Sequence, residues 1–208
     1  MAERSENISG KQRFFDREAA RWDKGEGEVT EGIRALVKDL GLGAGDIVIE
    51  PGCGTGVISE LLLEELGARG RVYGVDISEK MLEAAKVKSL GPRAFFHHTD
   101  AACMPFTNGF ADTVVCFRVF PHLDNQAAVL AEFYRVLKKD GLLVIAHPIS
   151  RERLNELHCN AGGDVARDLL PEEAEMRQLL SDSGFEILTF VDQENRYLIR
   201  ARKKRSDR

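Results

Sequence analysis

Residues 46–66, DIVIEPGCGTGVISELLLEEL, join a short apolar run to an amphipathic helical pattern through a glycine-rich turn. Gly52, Gly54 and Gly56 stand at alternate positions in that turn. Glycine allows positive φ angles and lets a ligand approach main-chain N–H groups closely. The start of the following helix also favours negatively charged ligand groups. The sequence therefore predicts a ligand site where this strand passes into its helix.

Apolar runs and helical patterns alternate on both sides of this turn. A helix that ends at Gly41 comes first, because its apolar residues share one face. Strands are then predicted over 46–50, 71–76, 94–98, 111–117 and 142–147, with helices over 56–70, 78–91 and 125–141. This order predicts an α/β fold with a parallel sheet and helices on both faces.

The two ends of the chain follow different patterns. Residues 1–10 are polar and predicted to be irregular, and a short amphipathic helix is predicted over 11–23. The connector 150–170 is predicted to be partly helical and broken at Gly162 and Gly163, before a helix that starts at Pro171. Two strands, over 185–193 and 195–202, form a predicted hairpin. We divide the chain into an N-terminal lid or helical segment (1–28), one α/β domain (29–202) and a solvated basic tail (203–208).

Composition limits the possible classes of protein. The 208 residues are 43% hydrophobic and 30% charged, which suits one globular domain. A net charge of -5 makes nucleic acid an unlikely partner. No apolar run approaches the ~20 residues of a membrane span, and the first residues lack the apolar segment of a secretory signal. Four cysteines without a CxxC pair predict reduced thiols and a cytoplasmic location.

Three kinds of ligand can occupy a glycine-rich turn after a strand. A nucleoside triphosphate loop requires GxxxxGK followed by Ser or Thr, and no such sequence is present. A dinucleotide loop requires GxGxxG, but Val57 stands where the third glycine belongs. The pattern is instead an acid followed by GxGxG, beginning at Glu50.

The stretches EPGCGTG, VYGVDIS and HHTDAACMPF occur in that order and together resemble the class I S-adenosylmethionine-dependent methyltransferases, in particular the small stand-alone type. The resemblance covers roughly residues 29–148 and extends to ADTVVCF and YRVLKKDGLLVIAHP. It implies a Rossmann-like sheet of seven strands, mostly parallel, with an antiparallel C-terminal hairpin. It also implies S-adenosyl-L-methionine as the cofactor and S-adenosyl-L-homocysteine as its product.

The resemblance implies a role for each motif. Asp76 is expected to accept hydrogen bonds from the ribose hydroxyls, although a nicotinamide dinucleotide would use such an acid too. Asp100 and Ala101 are expected to contact the adenine, with Met81 against its face. Glu50 is expected near the ligand's ammonium group. The predicted cofactor residues are Glu50, Gly52, Cys53, Gly54, Thr55, Gly56, Asp76, Ile77, Met81, Asp100, Ala101 and Phe117.

The acceptor side is less clearly marked by the sequence. His122 and His147 follow the fourth and fifth predicted strands, and each is a candidate general base. Structural histidines bound within loops are the alternative for both. Phe15 and Trp22 are predicted to form a lid, and Arg118 and His158 to border the acceptor. His158 and Cys159 raise the idea of a metal or a soft substrate, but their spacing matches no ligand pattern, so no metal is predicted.

The sequence predicts methyl transfer to a small-molecule acceptor, because no nucleic-acid or protein-recognition module is visible. The alternatives are the same fold acting on RNA or protein, a non-catalytic cofactor-binding protein, and a nicotinamide-dependent oxidoreductase. Arg196, Arg200 and Arg202 share one face of the last strand and can contact an anion. A solvated edge strand is the other interpretation of these arginines.

Overall fold

The computed structural model describes residues 2–20, 22 and 28–205, and within them seven strands form one sheet. The strands run in the spatial order β3-β2-β1-β4-β5-β7-β6. They are β1 Ile47–Pro51, β2 Arg71–Asp76, β3 Ala94–His98, β4 Ala111–Phe117, β5 Leu137–His147, β6 Phe185–Gln193 and β7 Arg196–Lys203. The first five pair in parallel, and β7 is antiparallel to both β5 and β6. The predicted fold class is confirmed.

Helices cover both faces of this sheet. They are α1 Ala2–Glu18, α2 Glu31–Lys38, α3 Val57–Glu65, α4 Glu79–Val87, α5 Gln126–Val136, α6 Arg151–Ala161 and α7 Glu173–Asp182. Successive side chains of β4 point to opposite faces of the sheet and pack in different hydrophobic clusters. Val115 packs with α2 and α3, whereas Val114 packs with α5 and α7. A sheet buried on both faces explains why its strands are continuous apolar runs. Among the described residues, no helix is both long and apolar enough to cross a bilayer.

Side-chain caps begin several of these helices. Ser78 accepts a hydrogen bond from the N–H of Met81 and so starts α4 directly after β2. Asn125 and Ser150 cap α5 and α6 in the same way. The start of α3 has no such cap, because Gly56 occupies that position with a φ of 77°. The glycine-rich turn therefore leaves the first N–H groups of α3 without a side-chain partner from its cap residue.

Two predicted boundaries are wrong. The first helix begins at Ala2 and ends at Glu18, so the segment expected to be irregular is largely helical. The helix before β5 ends at Val136, because Leu137 already pairs with Ala111 of β4. The strand then bulges at Asp140, whose φ is 60°, and regular pairing resumes where Leu142 meets Thr113.

The position of β7 also corrects an expectation. This strand lies between β5 and β6, so it is an interior strand and not an edge. Two of its arginines pair with carboxylates: Arg196 lies 2.8 Å from Asp39, and Arg202 lies 2.7 Å from Glu186. The strand runs to Lys203, inside the predicted tail, and residues 206–208 lie outside the described residues.

Candidate cofactor and acceptor site

A cavity opens at the carboxyl ends of β1, β2 and β4, where the strand order reverses around β1 and β4. Ligands of open parallel sheets bind at such a reversal. All predicted cofactor residues except Gly56 line this cavity. Of the predicted acceptor and lid residues, the cavity is lined by Phe15, Trp22, Arg118 and His122. The structure thus brings together most of the residues that the sequence singled out, and their roles remain predictions.

The glycine-rich turn is fixed to the neighbouring strand by main-chain hydrogen bonds. The N–H groups of Gly52 and Cys53 donate to the carbonyl of Val75, at 2.7 and 3.2 Å. Gly52 has a φ of 64°, and a Cβ at this position would lie 2.1 Å from Val119 Cγ2. A larger residue is therefore excluded by both the backbone angle and the space available.

Gly56 has a different role from the other two turn glycines. It lies at the start of α3 with a φ of 77°, and a Cβ there would lie 3.3 Å from both Ala85 Cβ and Phe96 Cζ. Ala85 and Phe96 lie on the side of the turn that faces away from the cavity. Gly56 therefore allows the packing of α3 against α4 and β3, and it is not among the residues that line the cavity.

Asp76 connects the tip of β2 to the turn. Its Oδ2 accepts the N–H of Gly54 at 2.8 Å, and its Oδ1 accepts the N–H of Ser78 at 2.8 Å. The residue is 8% exposed, and burial raises the pKa of its carboxyl group. Each carboxylate oxygen can accept a further hydrogen bond. Asp76 can therefore orient the turn and still accept hydroxyl groups from a ligand in the cavity.

Glu50 is a second buried acid in this cavity. Its side chain accepts a hydrogen bond from Ser59 Oγ and is 2% exposed. Burial, together with the nearby charge of Asp76, raises its pKa to about 8 despite the hydrogen bond from Ser59. A cation bound beside Glu50 would favour the ionised form. The pair of buried acids therefore suits a positively charged ligand better than a pyrophosphate.

The predicted adenine side lies beyond β2 and β3. Ile77, Met81, Asp100 and Ala101 line this part of the cavity, and Met81 is 1% exposed. Asp100 Oδ1 accepts the N–H of Ala102 at 2.9 Å, which orients the carboxylate within its loop. This arrangement offers an apolar surface with one acid at its edge, as recognition of a heterocyclic amine requires.

His122 is the histidine that faces the cavity. Its Nδ1 lies 2.7 Å from Asp168 Oδ2, and the ring packs edge-on against Phe15 with centroids 5.5 Å apart. Lys11 Nζ lies 3.0 Å from Asp168 Oδ1 and donates to the carbonyl of His122 at 2.8 Å. Sequence reasoning missed Lys11 and Asp168, since neither belongs to a motif and both are distant from His122 along the chain.

The other two candidate histidines lie behind His122. His147 is 2% exposed, and its Nε2 has no hydrogen-bond partner among the described residues. Burial lowers its pKa well below the ordinary value for histidine. His158 Nδ1 hydrogen-bonds the carbonyl of Asp168, and its ring centroid is 4.9 Å from that of His122. Neither side chain lines the cavity, so the structure does not bring His147 or His158 to the predicted acceptor position.

The helix α1 lies across the cavity. Lys11 binds residues on the acceptor side, whereas Asp16 Oδ1 accepts a hydrogen bond from Ser78 Oγ at 2.6 Å on the cofactor side. Phe15 and Trp22 both line the cavity, with ring centroids 6.1 Å apart. Residues 1, 21 and 23–27 of the predicted lid segment lie outside the described residues.

A metal centre receives no support from these side chains. In the part of the chain that the structure describes, no group of three or more His, Cys, Asp or Glu side chains is arranged to bind a metal ion. Cys159 is exposed, and its Sγ lies 3.9 Å from the carbonyl of Ala166. Cys53 is buried in the turn, where burial raises the pKa of its thiol well above the ordinary value.

Comparisons with known proteins agree with this geometry. A family model described as a methyltransferase domain matches residues 49–145, from β1 to β5. A protein of Mycolicibacterium smegmatis described as a probable S-adenosylmethionine-dependent methyltransferase is 32% identical over 150 residues, or 69% of this chain. The chain belongs to the class I S-adenosylmethionine-dependent methyltransferases.

Two other known proteins match more of the chain. A ubiquinone/menaquinone biosynthesis C-methyltransferase of Nitrosospira multiformis is 26% identical over 219 residues, covering 91% of this chain and 88% of that protein. The chain spans only about half, 53%, of the M. smegmatis relative. A solved chain from the complex of a Haloferax volcanii methyltransferase with its activator has a TM-score of 0.76 at 20% identity, covering 92% of this chain and 98% of that one. That likeness shows the fold.

The family's cofactor is S-adenosylmethionine, and the residues of the cavity fit it. The sulfonium and ammonium groups of S-adenosylmethionine are positively charged, and Glu50 and Asp76 supply buried carboxyl groups. Gly54 leaves the turn open towards the cavity, since a Cβ there would only reach ordinary contact distance, 3.8 Å, from Trp22 Nε1. The site therefore has both the charge and the close backbone approach that this cofactor needs.

Proposed function

We propose that the protein transfers a methyl group from S-adenosylmethionine to a small-molecule acceptor. The observation that carries this proposal is one cavity lined by most of the predicted cofactor residues and by His122, beneath Phe15 of α1 and Trp22. When bound, the cofactor supplies an activated methyl group on a sulfonium. The protein has to place the acceptor in line with that methyl group and exclude water.

The side chains near His122 support an apolar or aromatic acceptor. Phe15, Val119, Leu123 and Val129 line the cavity there and bury apolar surface. Flat, largely apolar ligands gain free energy from such a surface in proportion to the area removed from water. The relative from N. multiformis is named for quinone biosynthesis, which is consistent with an aromatic ring as the acceptor. We therefore extend the proposal to acceptors with an aromatic or quinol-like ring.

The two alternative functions require this protein to bind different ligands. A nicotinamide-dependent oxidoreductase has to place a pyrophosphate beside the turn, where the buried carboxyl groups of Glu50 and Asp76 are unfavourable. A version of the fold that acts on RNA needs an open basic surface to bind the phosphates. Two of the three arginines on one face of β7 instead pair with carboxylates.

The test compares thermal unfolding of the purified protein with S-adenosylmethionine, S-adenosylhomocysteine, NAD or no ligand. A ligand at 100 times its Kd adds ~2.7 kcal/mol to the free energy of unfolding. We expect the melting temperature to rise with the two adenosyl-sulfur ligands and not with NAD. Asp76→Asn should remove most of that rise, whereas the exposed control Asp182→Asn should retain it. A rise with NAD alone would refute the proposal.

Acceptors are then screened by the release of S-adenosylhomocysteine. The panel should include catechol, a dihydroxynaphthalene, a primary amine, a short peptide and a transfer RNA. We expect turnover with one of the ring compounds. Turnover with the RNA or the peptide alone would retain the cofactor assignment and overturn the acceptor class.

A further inference from the structure

We infer that Asp168 is a positioning residue that orients His122 as the proton acceptor of the methyl transfer, and that Lys11 makes this pair dependent on the docking of α1. The inference rests on the proposed function and deepens it. It assigns roles to two residues outside the sequence motifs, and it restricts the acceptor to molecules that lose a proton when they are methylated.

The geometry first determines which nitrogen of His122 is available. Asp168 Oδ2 lies 2.7 Å from His122 Nδ1, and an ionised carboxylate only accepts hydrogen bonds. Nδ1 therefore carries the hydrogen in the neutral ring, and Nε2 has the free lone pair. No residue in the described part of the chain hydrogen-bonds Nε2, and the side chain lines the cavity. His122 is thus oriented to accept a proton from a molecule in the cavity.

Lys11 contacts the same carboxylate from α1. Its Nζ lies 3.0 Å from Asp168 Oδ1, 2.7 Å from Asp124 Oδ1 and 2.8 Å from the carbonyl oxygen of His122. The Lys11 side chain is 11% exposed, and that of Asp168 is 9% exposed. These contacts attach α1 to the acceptor side of the cavity. Displacement of α1 would remove a positive charge from the histidine–aspartate pair.

The charged and titratable groups around His122 shift its pKa in opposite directions. Asp168 faces it from the connector after α6, Lys11 from α1, His158 from α6 and His147 from β5. Burial lowers the pKa of His122, the hydrogen bond and charge of Asp168 raise it, and His158 and Lys11 lower it. The net direction is downward, so the imidazole is neutral near pH 7 and able to accept a proton.

With S-adenosylmethionine bound, the acceptor atom would form its bond to the methyl carbon while the carbon–sulfur bond broke and left its electron pair on sulfur. The acceptor's proton goes to His122 Nε2, so the positive charge lost by the sulfonium appears on the imidazolium. Asp168 stabilises that charge at a contact of 2.7 Å. The acceptor class is therefore an O–H, N–H or acidic C–H compound, and not a thioether or a tertiary amine.

Docking of α1 links this base to water exclusion. The same helix supplies Phe15, whose ring packs on His122 with centroids 5.5 Å apart. When α1 is docked, Phe15 shields the ring and Lys11 reduces its affinity for a proton. When α1 leaves, both effects are lost, and the histidine is more readily protonated by solvent. The neutral base is thus favoured when the cavity is covered.

The first test is an NMR titration of the histidine rings in protein saturated with S-adenosylhomocysteine. The chain has five histidines, and the spectrum of His122→Gln identifies the signal of His122. We expect Asp168→Asn to lower the pKa of His122 and Lys11→Met to raise it. The exposed control Lys139→Met should not change it. Shifts in the same direction, or no shift in either variant, would overturn the inference, and a purely structural role would not produce opposite shifts.

The second test measures transfer of a radiolabelled methyl group to catechol, to a dihydroxynaphthalene and to dimethyl sulfide, which has no proton to lose. We expect turnover of a hydroxylated ring and a loss of about 10²–10⁴-fold in kcat in His122→Gln. In Asp168→Asn the acid limb of the pH profile should move to lower pH. Turnover of dimethyl sulfide alone, equal rates in His122→Gln, or no turnover of either ring by protein that binds S-adenosylhomocysteine would each overturn the inference. Failure to bind S-adenosylhomocysteine would instead refute the proposed function.

Discussion

Asp168 contacts two partners with its two carboxylate oxygens: Oδ2 lies 2.7 Å from His122 Nδ1, and Oδ1 lies 3.0 Å from Lys11 Nζ. These contacts join the connector after α6 to the loop after β4 and to α1. Although burial raises the pKa of Asp168, the hydrogen bonds from His122 and Lys11 have the larger combined effect and lower it. The carboxylate is therefore ionised across the neutral pH range, where it pairs with the Lys11 ammonium and accepts a hydrogen bond from the neutral His122 ring.

Removal of the Lys11 charge should loosen α1. Lys11→Met removes hydrogen bonds to charged groups, each worth about 1.5–3 kcal/mol, and leaves Asp124 and Asp168 without their shared cation. We expect faster amide hydrogen exchange in α1 and faster release of S-adenosylhomocysteine, with β1 to β5 unaffected. Lys139→Met, at an exposed position, is the matched control. Unchanged exchange in α1 would show that its other contacts are sufficient.

Glu50 should make the stability of the unliganded protein depend on pH. Its pKa rises from 4.5 to about 8 in the fold, so the folded state binds more protons than the unfolded state between those values. The contribution of Glu50 to the free energy of unfolding therefore decreases as the pH rises through that window. Glu50→Gln should flatten the dependence of the free energy of unfolding on pH in that window. The exposed control Glu65→Gln should leave this dependence unchanged. If the free energy of unfolding of wild type and of Glu50→Gln depended on pH in the same way, the raised pKa of Glu50 would be contradicted.

The same residue should couple cofactor binding to proton release. A cation beside Glu50 favours its ionised form, so S-adenosylmethionine should bind more tightly as the pH rises towards 8. Calorimetric titrations in buffers of different ionisation enthalpy should show proton release on binding near pH 7. Glu50→Gln should bind more weakly and release fewer protons. Equal proton release in wild type and Glu50→Gln would place the ligand's cation elsewhere.

Gly52 should tolerate no side chain, for two separable reasons. A positive φ costs a residue with a Cβ about 1–2 kcal/mol, and overpacking costs typically 1–3 kcal/mol more. Gly67 is the control, since it has a φ of 65° and nothing within 4 Å of an added Cβ. We expect denaturant unfolding to show a larger loss for Gly52→Ala than for Gly67→Ala. Adding Val119→Ala should recover part of the difference, and equal losses would contradict the close contact.

Tyr197 and Tyr134 should respond differently to loss of the hydroxyl group. The Tyr197 hydroxyl is buried without a partner among the described residues, whereas that of Tyr134 donates to the carbonyl of Lys204 at 3.1 Å. A buried unsatisfied group costs about 1–3 kcal/mol, and an ordinary hydrogen bond contributes about 0.5–1.5 kcal/mol. Tyr197→Phe should therefore preserve or raise the free energy of unfolding, and Tyr134→Phe should lower it. A loss in Tyr197→Phe would indicate a bridging water.

The fold was largely predictable from the sequence because its signals are local. The apolar runs, the serine cap at Ser78 and the glycines of the turn each determine the structure within a few residues of themselves. The end of α5 was not predictable, because pairing of Leu137 with Ala111 replaces a helical continuation. Propensity alone does not show such a competition between a helix and a neighbouring strand.

The cofactor side of the site was easier to predict than the acceptor side, for a related reason. Asp76 and Gly54 follow strands whose ends meet at one edge of the sheet, so topology brings them together. His122 meets Asp168 and Lys11 only through tertiary packing of a connector and a terminal helix. His147 illustrates the converse, because a histidine at a strand end was expected to face the acceptor and is buried behind it.

Fluorescence of Trp22 is the most direct test that this cavity binds S-adenosylmethionine. Trp22 is the chain's only tryptophan and lines the cavity next to the glycine-rich turn. Titration with S-adenosylmethionine or S-adenosylhomocysteine should change its emission saturably, with one ligand per chain, and NAD should not. Asp76→Asn should shift the titration to much higher ligand concentrations. An emission unchanged by either ligand at saturating concentration, or a response that is the same in Asp76→Asn, would contradict the assignment of this cavity as the cofactor site.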